Sequence, residues 1–576
     1  MNTHNGLFAP GSIGGVAMPN RIVMPAMTTR LADEDGYVTA DTLAYFCARA
    51  EGGVGLVTVE MASPEPAGRH RFRELGIYDD RFLPGLRGLT DALHAAGARA
   101  SIQLGHAGGH TRRDICGEDP VAPSAIPHYV FERTGATVIP QAMSLDRIAA
   151  TTAAYVAAAR RAQVAGFDCI EVHAAHGYLL SQFLCPAENR RQDAYGGALA
   201  GRARLSLEVL RAIKHEVSGL AVIFRMNAND YFPGGLEWVD AFQLAQLAVE
   251  AGADALHVTA GHYRSLPSAH MMTPPMNCVD GIFLDYAARI KAVVKVPVIA
   301  VGRLGDPTLA AAAIGAGKAD FIALGRTLIA DPEWARKVRA GIAPRRCLSC
   351  NTCVDGMRSG DRLGCVVNPR AARERDESGA PAALRGRRIA VIGAGPAGLS
   401  YAEQAATHND VTVFERSQRA GGALRFAGLA PQFQGVEAVQ QPLDVFIDEL
   451  ERACRQKKVH FRYGYDITSV ADIAADYDHI IVATGATYRL GSTGAIYGFL
   501  KTPWCRSRFF RWVFGLSFVR DVFYYRWRKS VRPGMAGVDA TRVTLIGDAL
   551  SPGKTREAIA TAFAAANGAS GAALNR

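Results

Sequence analysis

The sequence lacks long apolar segments and a secretory leader pattern. Its excess of positive charge is not spread evenly along the chain. No apolar run approaches the ~20 residues that a membrane-spanning helix requires, and no basic-then-apolar stretch opens the chain. Outside one segment the chain is near neutral, which argues against a nucleic-acid-binding role. We therefore expect a soluble, cytoplasmic protein, and its eleven cysteines indicate a reducing compartment, where clustered cysteines hold metal rather than form disulfides.

Short β-branched runs alternate with Ala/Leu-rich stretches through the first part of the chain. This alternation predicts an α/β protein whose N-terminal module, residues 1–343, is a parallel (β/α)8 TIM barrel. An open doubly wound sheet fits less well, because no GxGxxG follows the first strand. The predicted strands are Ile22–Met24, Val54–Val59, Ala100–Leu104, Cys169–His173, Ala221–Arg225, Ala255–Thr259, Val298–Val301 and Phe321–Leu324.

Polar residues follow several of these strands, at the end of the barrel where active sites form. Gly302-Arg303 and Gly325-Arg326 follow the seventh and eighth strands and predict a phosphate site. His173 and His176, at the end of the fourth strand, are interpreted as hydrogen-bond donors to a substrate oxygen, with Tyr178 as a proton donor. Zinc ligation or a structural role in the core are the alternatives for the two histidines.

Four segments of the barrel resemble the old yellow enzyme family. They are Arg21-Ile-Val-Met-Pro-Ala-Met-Thr28, Ile102-Gln-Leu-Gly-His-Ala-Gly108, Glu171-Val-His-Ala-Ala-His-Gly-Tyr-Leu179 and Asn189-Arg-Arg-Gln-Asp-Ala-Tyr-Gly-Gly197. The resemblance covers the whole barrel and implies FMN as its cofactor. It places Thr28 near the reactive edge of the flavin.

The same resemblance implies roles for residues at the strand ends. Gln103 would bond the pyrimidine edge of the flavin, and Arg225 would face its N1 and O2 atoms. The two histidines would bind the carbonyl or carboxylate of the substrate. Arg30 could hold a substrate acid, with a surface salt bridge as the alternative. The expected FMN contacts are Pro25, Ala26, Met27, Thr28, Gln103, Arg225, Gly302, Arg303, Gly325 and Arg326.

Four cysteines, Cys347, Cys350, Cys353 and Cys365, fall within nineteen residues of the segment 344–377. Soft thiolates at this spacing suit an Fe–S cluster, and a structural zinc is the alternative. The arrangement resembles the long subgroup of the family, which includes dienoyl-CoA reductase, enoate reductases and trimethylamine dehydrogenase, and it implies a [4Fe–4S] cluster. The CxxCxxC spacing is similar to that of the amine dehydrogenase, whereas the His-x-x-His suits the reductases.

The remaining residues, 378–576, predict a linker at Ser378–Ala383 and then a Rossmann-like domain. The strand Arg388–Ile392 leads into a GxGxxG turn, and the strand Val411–Glu415 ends in an acid at the expected distance. Such glycines let the backbone approach a pyrophosphate at a helix N-terminus. The set resembles FAD enzymes of the glutathione-reductase type, with a bound ADP as the alternative. The expected contacts are Gly393, Gly395, Gly398, Glu415, Gly422, Thr484, Gly485, Gly547 and Asp548.

A complete inserted NAD(P)H domain, usual in this subgroup, cannot fit in the second domain. Residues 486–542 form a short stretch without a second GxGxxG, so the resemblance leaves NAD(P)H only as an external donor. In its place stands a basic aromatic segment, residues 496–533, with nine lysines and arginines and one acid, Asp521. Its net charge is therefore +8 of the total of +10.

The basic aromatic segment is predicted to be helical, and three interpretations are open. Its aromatic side chains could pack over the nucleotide-binding domain while the cations extend into solvent. It could instead lie in the interface of the inner membrane face, or bind an acidic electron carrier. Our hypothesis is that electrons are exchanged here with a quinone pool or a carrier protein. The aromatic residues are Tyr497, Phe499, Trp504, Phe509, Phe510, Trp512, Phe514, Phe518, Phe523, Tyr524, Tyr525 and Trp527.

Together these features predict an FMN/[4Fe–4S]/FAD oxidoreductase that reduces a C=C bond conjugated to a carbonyl, carboxylate or acyl-CoA thioester. His173 and His176 would stabilise the developing enolate, and Tyr178 would protonate the α-carbon. An N-methyl amine or betaine dehydrogenase that passes electrons outward is the first alternative. A non-catalytic redox module is the second. The sequence leaves the oligomeric state open, a homo-oligomer included.

Overall fold

The computed structural model describes residues 4–132, 135–377, 384–433, 436–489 and 492–568. The chain forms two compact units, the first containing residues 1–349, 353–364 and 371–375, and the second residues 350–352, 365–370 and 376–576. The predicted linker Ser378–Ala383 lies outside the described residues. In the part of the chain that is described, no helix is long and apolar enough to cross a bilayer.

Eight parallel strands of the first unit close into a barrel, which confirms the predicted TIM-barrel fold. The eighth strand pairs with the first, so that Ile322 lies opposite Ile22. The second strand ends three residues later than predicted, because a bulge between Val59 and Met61 lets its pairing continue. The strands are Ile22–Met24, Leu56–Ala62, Arg99–Leu104, Cys169–Ala174, Ala221–Asn227, Ala255–Thr259, Val298–Ala300 and Phe321–Ala323.

A short hairpin closes the amino-terminal end of the barrel. Its strands, Gly11–Ile13 and Val16–Met18, are antiparallel, and they contribute buried apolar side chains to the same cluster as the barrel strands. A side chain at Gly11 would come 2.7 Å from the ring of Phe321, so glycine lets the hairpin pack closely. The polar residues of the candidate site lie at the opposite end of the barrel, where the strands terminate.

Helices surround the barrel, and side chains fix several of their starting points. Ser144 accepts a hydrogen bond from the Arg147 backbone N–H, and Asp306 caps a helix whose first residue is Pro307. The helices of the first unit are Asn5–Phe8, Ala40–Glu51, Leu83–Ala95, Arg113–Cys116, Leu145–Val164, Leu179–Leu184, Leu199–Glu216, Trp238–Glu250, Leu266–Met271, Leu284–Lys291, Pro307–Gly315, Gly325–Ala330 and Trp334–Arg339.

The second unit is built on a five-stranded parallel sheet, and it confirms the predicted Rossmann-like domain. The central strand Arg388–Ile392 is flanked by Asp410–Glu415 and His479–Val482. The edge strands are His460–Tyr463 and Val543–Leu545. The main helices beside the sheet are Pro396–Ala405, Gln440–Gln456 and Thr555–Ala566, and the first of them packs against the other two.

The basic aromatic segment is helical, as predicted. Near its end, the strand Arg528–Ser530 pairs antiparallel with Ala486–Tyr488. Within the described residues between 486 and 542 there is no second nucleotide-binding sheet. The helical elements are Thr493–Leu500, Pro503–Arg506, Arg508–Gly515, Ser517–Asp521 and Val522–Arg526.

Candidate active site at the carboxyl ends of the barrel strands

The structure brings His173, His176 and Tyr178 together at the end of the fourth strand. The ring centroid of His173 lies 5.2 Å from that of His176 and 5.1 Å from that of Tyr178. The chain turns sharply here, since His176 has a φ of 67° and Gly177 a φ of 88°. A side chain at Gly177 would come 2.6 Å from the ring of His262. Glycine at this position therefore permits the turn that aligns the three side chains.

Both histidines are held in the neutral form. Burial, reinforced by the charge of Arg225, lowers the pKa of His173 to about 3 and the pKa of His176 well below its ordinary value. His176 Nε2 lies 3.1 Å from Thr259 Oγ1. The Nδ1 atom of His173 is buried without a hydrogen-bond partner. Neutral imidazoles with an unsatisfied buried nitrogen are suited to bonding a ligand oxygen.

A chain of hydrogen bonds leads away from Tyr178. Its hydroxyl lies 3.2 Å from His70 Nε2, and His70 Nδ1 lies 2.9 Å from Glu74 Oε2. Burial raises the pKa of Tyr178 well above its ordinary value and raises the pKa of Glu74 to about 8. Tyr178 and Glu74 are thus both protonated at neutral pH. The sequence reading missed His70 and Glu74, although their spacing of four residues was visible.

The predicted flavin contacts Gln103 and Arg225 converge on one buried carboxylate, Glu171. Gln103 Nε2 donates to Glu171 at 2.6 Å, and Arg225 Nη1 lies 3.5 Å from it. His257 Nδ1 is 2.6 Å from the other oxygen. Burial alone would raise the pKa of Glu171, but His257 and Arg225 outweigh it and lower the pKa to about 2. Arg225 Nε is buried without a partner, which leaves a donor for a bound flavin.

The predicted phosphate residues lie at the ends of the seventh and eighth strands. Gly302 has a φ of 111° and Arg303 a φ of 56°, and a side chain at Gly302 would come 2.7 Å from the ring of Phe283. Arg303 is anchored to Asp280 at 2.8 Å, while its Nε atom is buried without a partner. Arg326 donates to the carbonyl oxygen of a neighbouring loop. A backbone turn with no room for a side chain, together with guanidiniums that protein groups hold in place, fits a bound phosphate.

The segment after the first strand lies beside the eighth strand's glycine. A side chain at Gly325 would come 3.1 Å from the sulfur of Met27 and 3.5 Å from Pro25. Ala26, Met27 and Thr28 are half-buried, whereas Pro25 is buried. Thr29, the next residue, fixes this segment by bonding Glu60 through both its backbone N–H and its hydroxyl.

The Arg30 side chain bonds to other groups of the protein rather than to solvent. It pairs with Glu132 at 2.5 Å and donates to the carbonyl oxygens of Met357 and Phe72. The alternative of a surface salt bridge is wrong, because the side chains of Arg30 and Glu132 are both almost fully buried. A substrate acid would have to compete with Glu132 for this guanidinium.

Two further arginines, Arg71 and Arg358, contact Tyr263, a neighbour of the predicted proton donor Tyr178. Arg71 lies 3.2 Å from Glu132 and donates to the Tyr263 hydroxyl at 3.4 Å. The guanidinium carbon of Arg358 lies 5.5 Å from the centroid of the Tyr263 ring. The Nε atoms of both arginines are buried without a partner. The sequence predicted neither residue, because Arg71 lies in a loop without a motif and Arg358 ends the short helix Thr352–Arg358.

An aromatic wall completes this end of the site. The Tyr263 ring stacks on His110 at 4.1 Å and lies 5.6 Å from Tyr178. Phe131 lies 5.8 Å from Tyr263 and 4.9 Å from the guanidinium carbon of Arg358. Burial alone would raise the pKa of Tyr263, but Arg71 and Arg358 lower it below its ordinary value. The site therefore combines an apolar wall with positive charge.

A buried group of three potential metal ligands lies beside this site. It consists of Cys185, Asp230 and His262, and neither His173 nor His176 belongs to it. His262 Nδ1 accepts a hydrogen bond from the Arg264 backbone N–H, which places the ring proton on Nε2. That tautomer suits a hydrogen bond to protein better than a metal bond at Nε2.

The four predicted cluster cysteines are divided between the two units. Cys347 and Cys353 belong to the first unit, and Cys350 and Cys365 to the second. The Ser349 backbone N–H donates to Cys347 Sγ at 3.3 Å, an arrangement that stabilises a thiolate. The assignment of these cysteines to a [4Fe–4S] cluster stays a prediction.

The glycine-rich turn of the second unit leaves room for a ligand. A side chain at Gly393 would come 2.5 Å from the Ala483 carbonyl oxygen, so this glycine packs the turn against the next strand. Nothing lies within 4 Å of a side chain built at Gly395 or Gly485. Glu415 accepts hydrogen bonds from the Ala394 and Ser417 backbone N–H groups at 2.8 and 2.9 Å. The open side of the turn fits the ADP half of a dinucleotide.

The last predicted contact, Asp548, is paired within the protein. Its carboxylate bonds Arg528, near the end of the basic aromatic segment, and accepts from the Gly553 backbone N–H at 3.0 Å. Ser530 donates to the Asp548 carbonyl oxygen at 2.6 Å, and Thr484 donates to Val531 at 2.5 Å. The end of the segment is thus bonded to Asp548 and Thr484, two of the predicted nucleotide contacts.

The chain matches two protein families along its length. Residues 6–344 match the NADH:flavin oxidoreductase / NADH oxidase family, and residues 387–507 match pyridine nucleotide-disulphide oxidoreductases. A similar protein, NADH oxidase of Thermoanaerobacter brockii, is 38% identical over 83% of this chain and 73% of its own length.

Two solved structures are similar over most of the chain. A complex of 2-naphthoyl-CoA reductase with 2-naphthoyl-CoA is 26% identical, with a TM-score of 0.76 over 84% of this chain and 74% of that one. Histamine dehydrogenase from Rhizobium sp. 4-9 is 27% identical, with a TM-score of 0.75 over 85% and 70%. One neighbour is named a reductase and the other an amine dehydrogenase.

Proposed function

The chain belongs to the NADH:flavin oxidoreductase / NADH oxidase family, as a flavin-dependent oxidoreductase of the old yellow enzyme type, and we propose that it reduces a C=C bond conjugated to a carboxylate, carbonyl or acyl thioester. The observation that carries this proposal is the positive charge around Tyr178. Arg71 and Arg358 line the wall that Tyr263 and Phe131 form beside it.

The balance of charge at this end of the site favours an anionic or strongly polar substrate group. Glu132 is shared between Arg30 and Arg71, at 2.5 and 3.2 Å. Glu74, whose pKa burial raises to about 8, is neutral at neutral pH. Three guanidiniums, those of Arg30, Arg71 and Arg358, thus share this end of the site with one arginine-paired carboxyl group, that of Glu132. A substrate carboxylate or thioester carbonyl is stabilised there, whereas an ammonium group is repelled.

The residues present fit FMN in the barrel, because buried unpartnered nitrogens of Arg225 and Arg303 remain at the strand ends where the cofactor would lie. When bound, FMN would supply the hydride that goes to the β-carbon of the substrate. His173 and His176 would donate hydrogen bonds to the substrate oxygen and so polarise the double bond. Tyr178 would give its proton to the α-carbon.

The hydrogen-bonded pair His70 and Glu74 would return a proton to Tyr178. Glu74 is protonated in the resting site, and His70 bridges the 3.2 Å contact to Tyr178 and the 2.9 Å contact to Glu74. A proton can therefore pass from the Glu74 carboxyl group through the imidazole to the phenolate. This arrangement avoids any need for water beside the buried hydroxyl of Tyr178.

The rate of substrate reduction is expected to fall as pH rises above about 8, because Glu74 then loses the proton that the pair supplies. Glu74→Gln should remove this decline from the pH profile of kcat. Glu188 is a matched control, since burial raises its pKa to about 8 as well. Glu188→Gln should keep the decline, and a decline that survives Glu74→Gln but not Glu188→Gln would contradict the assignment.

For the other cofactors we propose a [4Fe–4S] cluster on Cys347, Cys350, Cys353 and Cys365, and FAD or ADP in the second unit. Support for the cluster comes from the N–H···S bond at Cys347 and from the CxxCxxC spacing. Support for the nucleotide comes from the open turn at Gly395. The pairing of Asp548 with Arg528 favours ADP over FAD, because that carboxylate would otherwise meet the ribityl region. Extraction and quantification of flavins per chain would separate the two.

Oxidation of an N-methyl amine or betaine is the second candidate function. The aromatic wall of Phe131, Tyr178 and Tyr263 could hold a cationic amine by cation–π contact. The similarity to a histamine dehydrogenase is in keeping with this candidate. The neighbouring arginines oppose it, and for that reason we rank it second.

Product analysis in deuterated water tests the proposed function. We expect enzyme reduced and equilibrated in deuterated water to convert cinnamate or a cinnamoyl thioester to the dihydro product, with deuterium at both the α- and β-carbons. The α-carbon is labelled because the Tyr178 proton exchanges with solvent, and the β-carbon because the N–H of reduced flavin that supplies the hydride also exchanges. Failure to form any dihydro product, together with turnover of trimethylamine or histamine by the same preparation, would overturn the proposal.

A further inference from the structure

The basic aromatic segment presents large aromatic side chains to solvent. Trp504, Phe509, Trp512 and Phe518 are 72%, 62%, 64% and 65% exposed. They occur on three successive helical elements, so the exposure extends along the segment rather than marking one loop tip. Large exposed aromatic groups in such number mark an interaction surface.

Other aromatic residues of the segment pack inward. Tyr497 stacks on Phe426 at 4.2 Å, and Phe510 packs against Phe499 at 4.9 Å. The interpretation that the aromatics pack over the domain thus holds for these residues. It does not hold for Trp504, Phe509, Trp512 and Phe518, nor for Tyr525 and Trp527, which are 40% and 37% exposed.

The helix Arg508–Gly515 shows how the two sets separate. Successive residues are rotated by about 100° around the axis, so Arg508, Arg511 and Trp512 share one face with Phe509 at its margin. Phe510 lies on the opposite face, where it meets Phe499. The exposed face therefore alternates cations with aromatic rings, which is the pattern of helices that lie in a bilayer interface.

Some of the segment's cations bond to the rest of the domain, and others are exposed to solvent. Arg528 pairs with Asp548, and Arg520 donates to Gln432 at 2.8 Å. In contrast, Lys501 and Arg508 have exposed side chains, and they flank the exposed rings in sequence. The segment as a whole has a net charge of +8, and its exposed cations make this surface complementary to an anionic one.

We propose that the exposed face formed by Trp504, Phe509, Trp512 and Phe518 binds the surface of an anionic lipid bilayer. The aromatic rings would enter the headgroup region, and the arginines and lysines beside them would meet lipid phosphates. The contact is peripheral, because no described helix is long and apolar enough to cross a bilayer. This proposal does not depend on the reaction proposed for the barrel.

Co-sedimentation of the full-length holoenzyme with vesicles tests the proposal. We expect binding to vesicles that contain phosphatidylglycerol, weak binding to pure phosphatidylcholine, and loss of most binding in about 1 M salt, where the Debye length is ~3 Å. Equal binding to both vesicle types, or no binding to either, would overturn the proposal.

Paired variants distinguish binding by this surface from nonspecific binding through exposed apolar side chains. The double variant Phe509→Ser/Trp512→Ser is expected to lower partitioning onto anionic vesicles at least about tenfold. Val239→Ser/Leu266→Ser is the matched control, since these apolar side chains of the first unit are 66% and 60% exposed. It should partition like the unaltered protein. Equal losses in both variants would contradict the proposal.

Two rival occupants give different outcomes. If the surface joined two copies of this chain, Phe509→Ser/Trp512→Ser would change the sedimentation coefficient and leave vesicle binding unaltered. If it bound an acidic carrier protein, vesicles would neither bind nor compete with that protein. Either result contradicts a lipid surface. Unchanged flavin content in the variants would show that the fold is retained.

Discussion

Replacing Tyr178 with phenylalanine is expected to slow substrate reduction about 10²–10⁴-fold, the usual contribution of a positioned proton donor. The phenol is buried, its pKa is raised, and its hydroxyl lies 3.2 Å from His70 Nε2. Reduction of the flavin by a nicotinamide needs no proton from Tyr178 and should keep its rate. Stopped-flow absorbance measures the two half-reactions separately.

Tyr155→Phe is a matched control for this variant. Tyr155 is also fully buried, but it lies in the helix Leu145–Val164 outside the barrel. It should leave both half-reactions unchanged. If Tyr178→Phe slowed both half-reactions equally, or neither, the assignment of Tyr178 as the proton donor would be wrong.

Replacing Arg71 with methionine is expected to weaken binding of an unsaturated acid about 10–150-fold. A hydrogen bond to a charged group contributes about 1.5–3 kcal/mol, and Arg71 has a buried unpartnered Nε to offer. Glu132 keeps its pairing with Arg30 at 2.5 Å, so the variant should fold. Titration of the acid and of its neutral amide against the oxidised enzyme gives the two dissociation constants.

The amide separates charge recognition from general damage to the site. Its affinity should change little in Arg71→Met, because it carries no charge for the guanidinium to meet. Arg113→Gln removes an exposed arginine that pairs with Asp119 and should alter neither affinity. Equal losses for acid and amide would show that Arg71 shapes the site without selecting an anion.

The barrel could be predicted from the sequence because local pattern and global fold agree there. All eight strands were found from short β-branched runs, since strands buried on both faces read as continuous apolar segments. Residues attached to those strand ends, such as His173, Arg225 and Gly302, were therefore placed correctly at the same end of the barrel. They lie at one end because a parallel barrel brings every strand's carboxyl end together.

The residues that the sequence did not reveal lie in loops or, in the case of Arg358, at the end of the short helix Thr352–Arg358. Arg71, Tyr263 and Arg358 come from three distant parts of the chain, and their encounter depends on how the loops fold over the barrel. The pairing of Arg528 with Asp548 was hidden for the same reason. Arg30 shows the converse case, because its sequence position suggested substrate access while tertiary packing buried it against Glu132.

The basic aromatic segment could be predicted only in part. Its composition predicted helices and positive charge, and both are present. Composition could not divide the aromatics into an inward set and an exposed set, since that division depends on which helix face meets the domain. Phe510 and Trp512, two residues apart, ended on different sides.

The most direct test of the central claim is an anaerobic half-reaction, in which reduced enzyme is mixed with an α,β-unsaturated acid and the flavin absorbance is followed. We predict rapid reappearance of oxidised flavin, with a rate that falls above pH 8 and falls further in Tyr178→Phe. No reoxidation by unsaturated acids, aldehydes or thioesters, combined with bleaching of the oxidised flavin by trimethylamine or histamine, would contradict the account and establish amine oxidation instead.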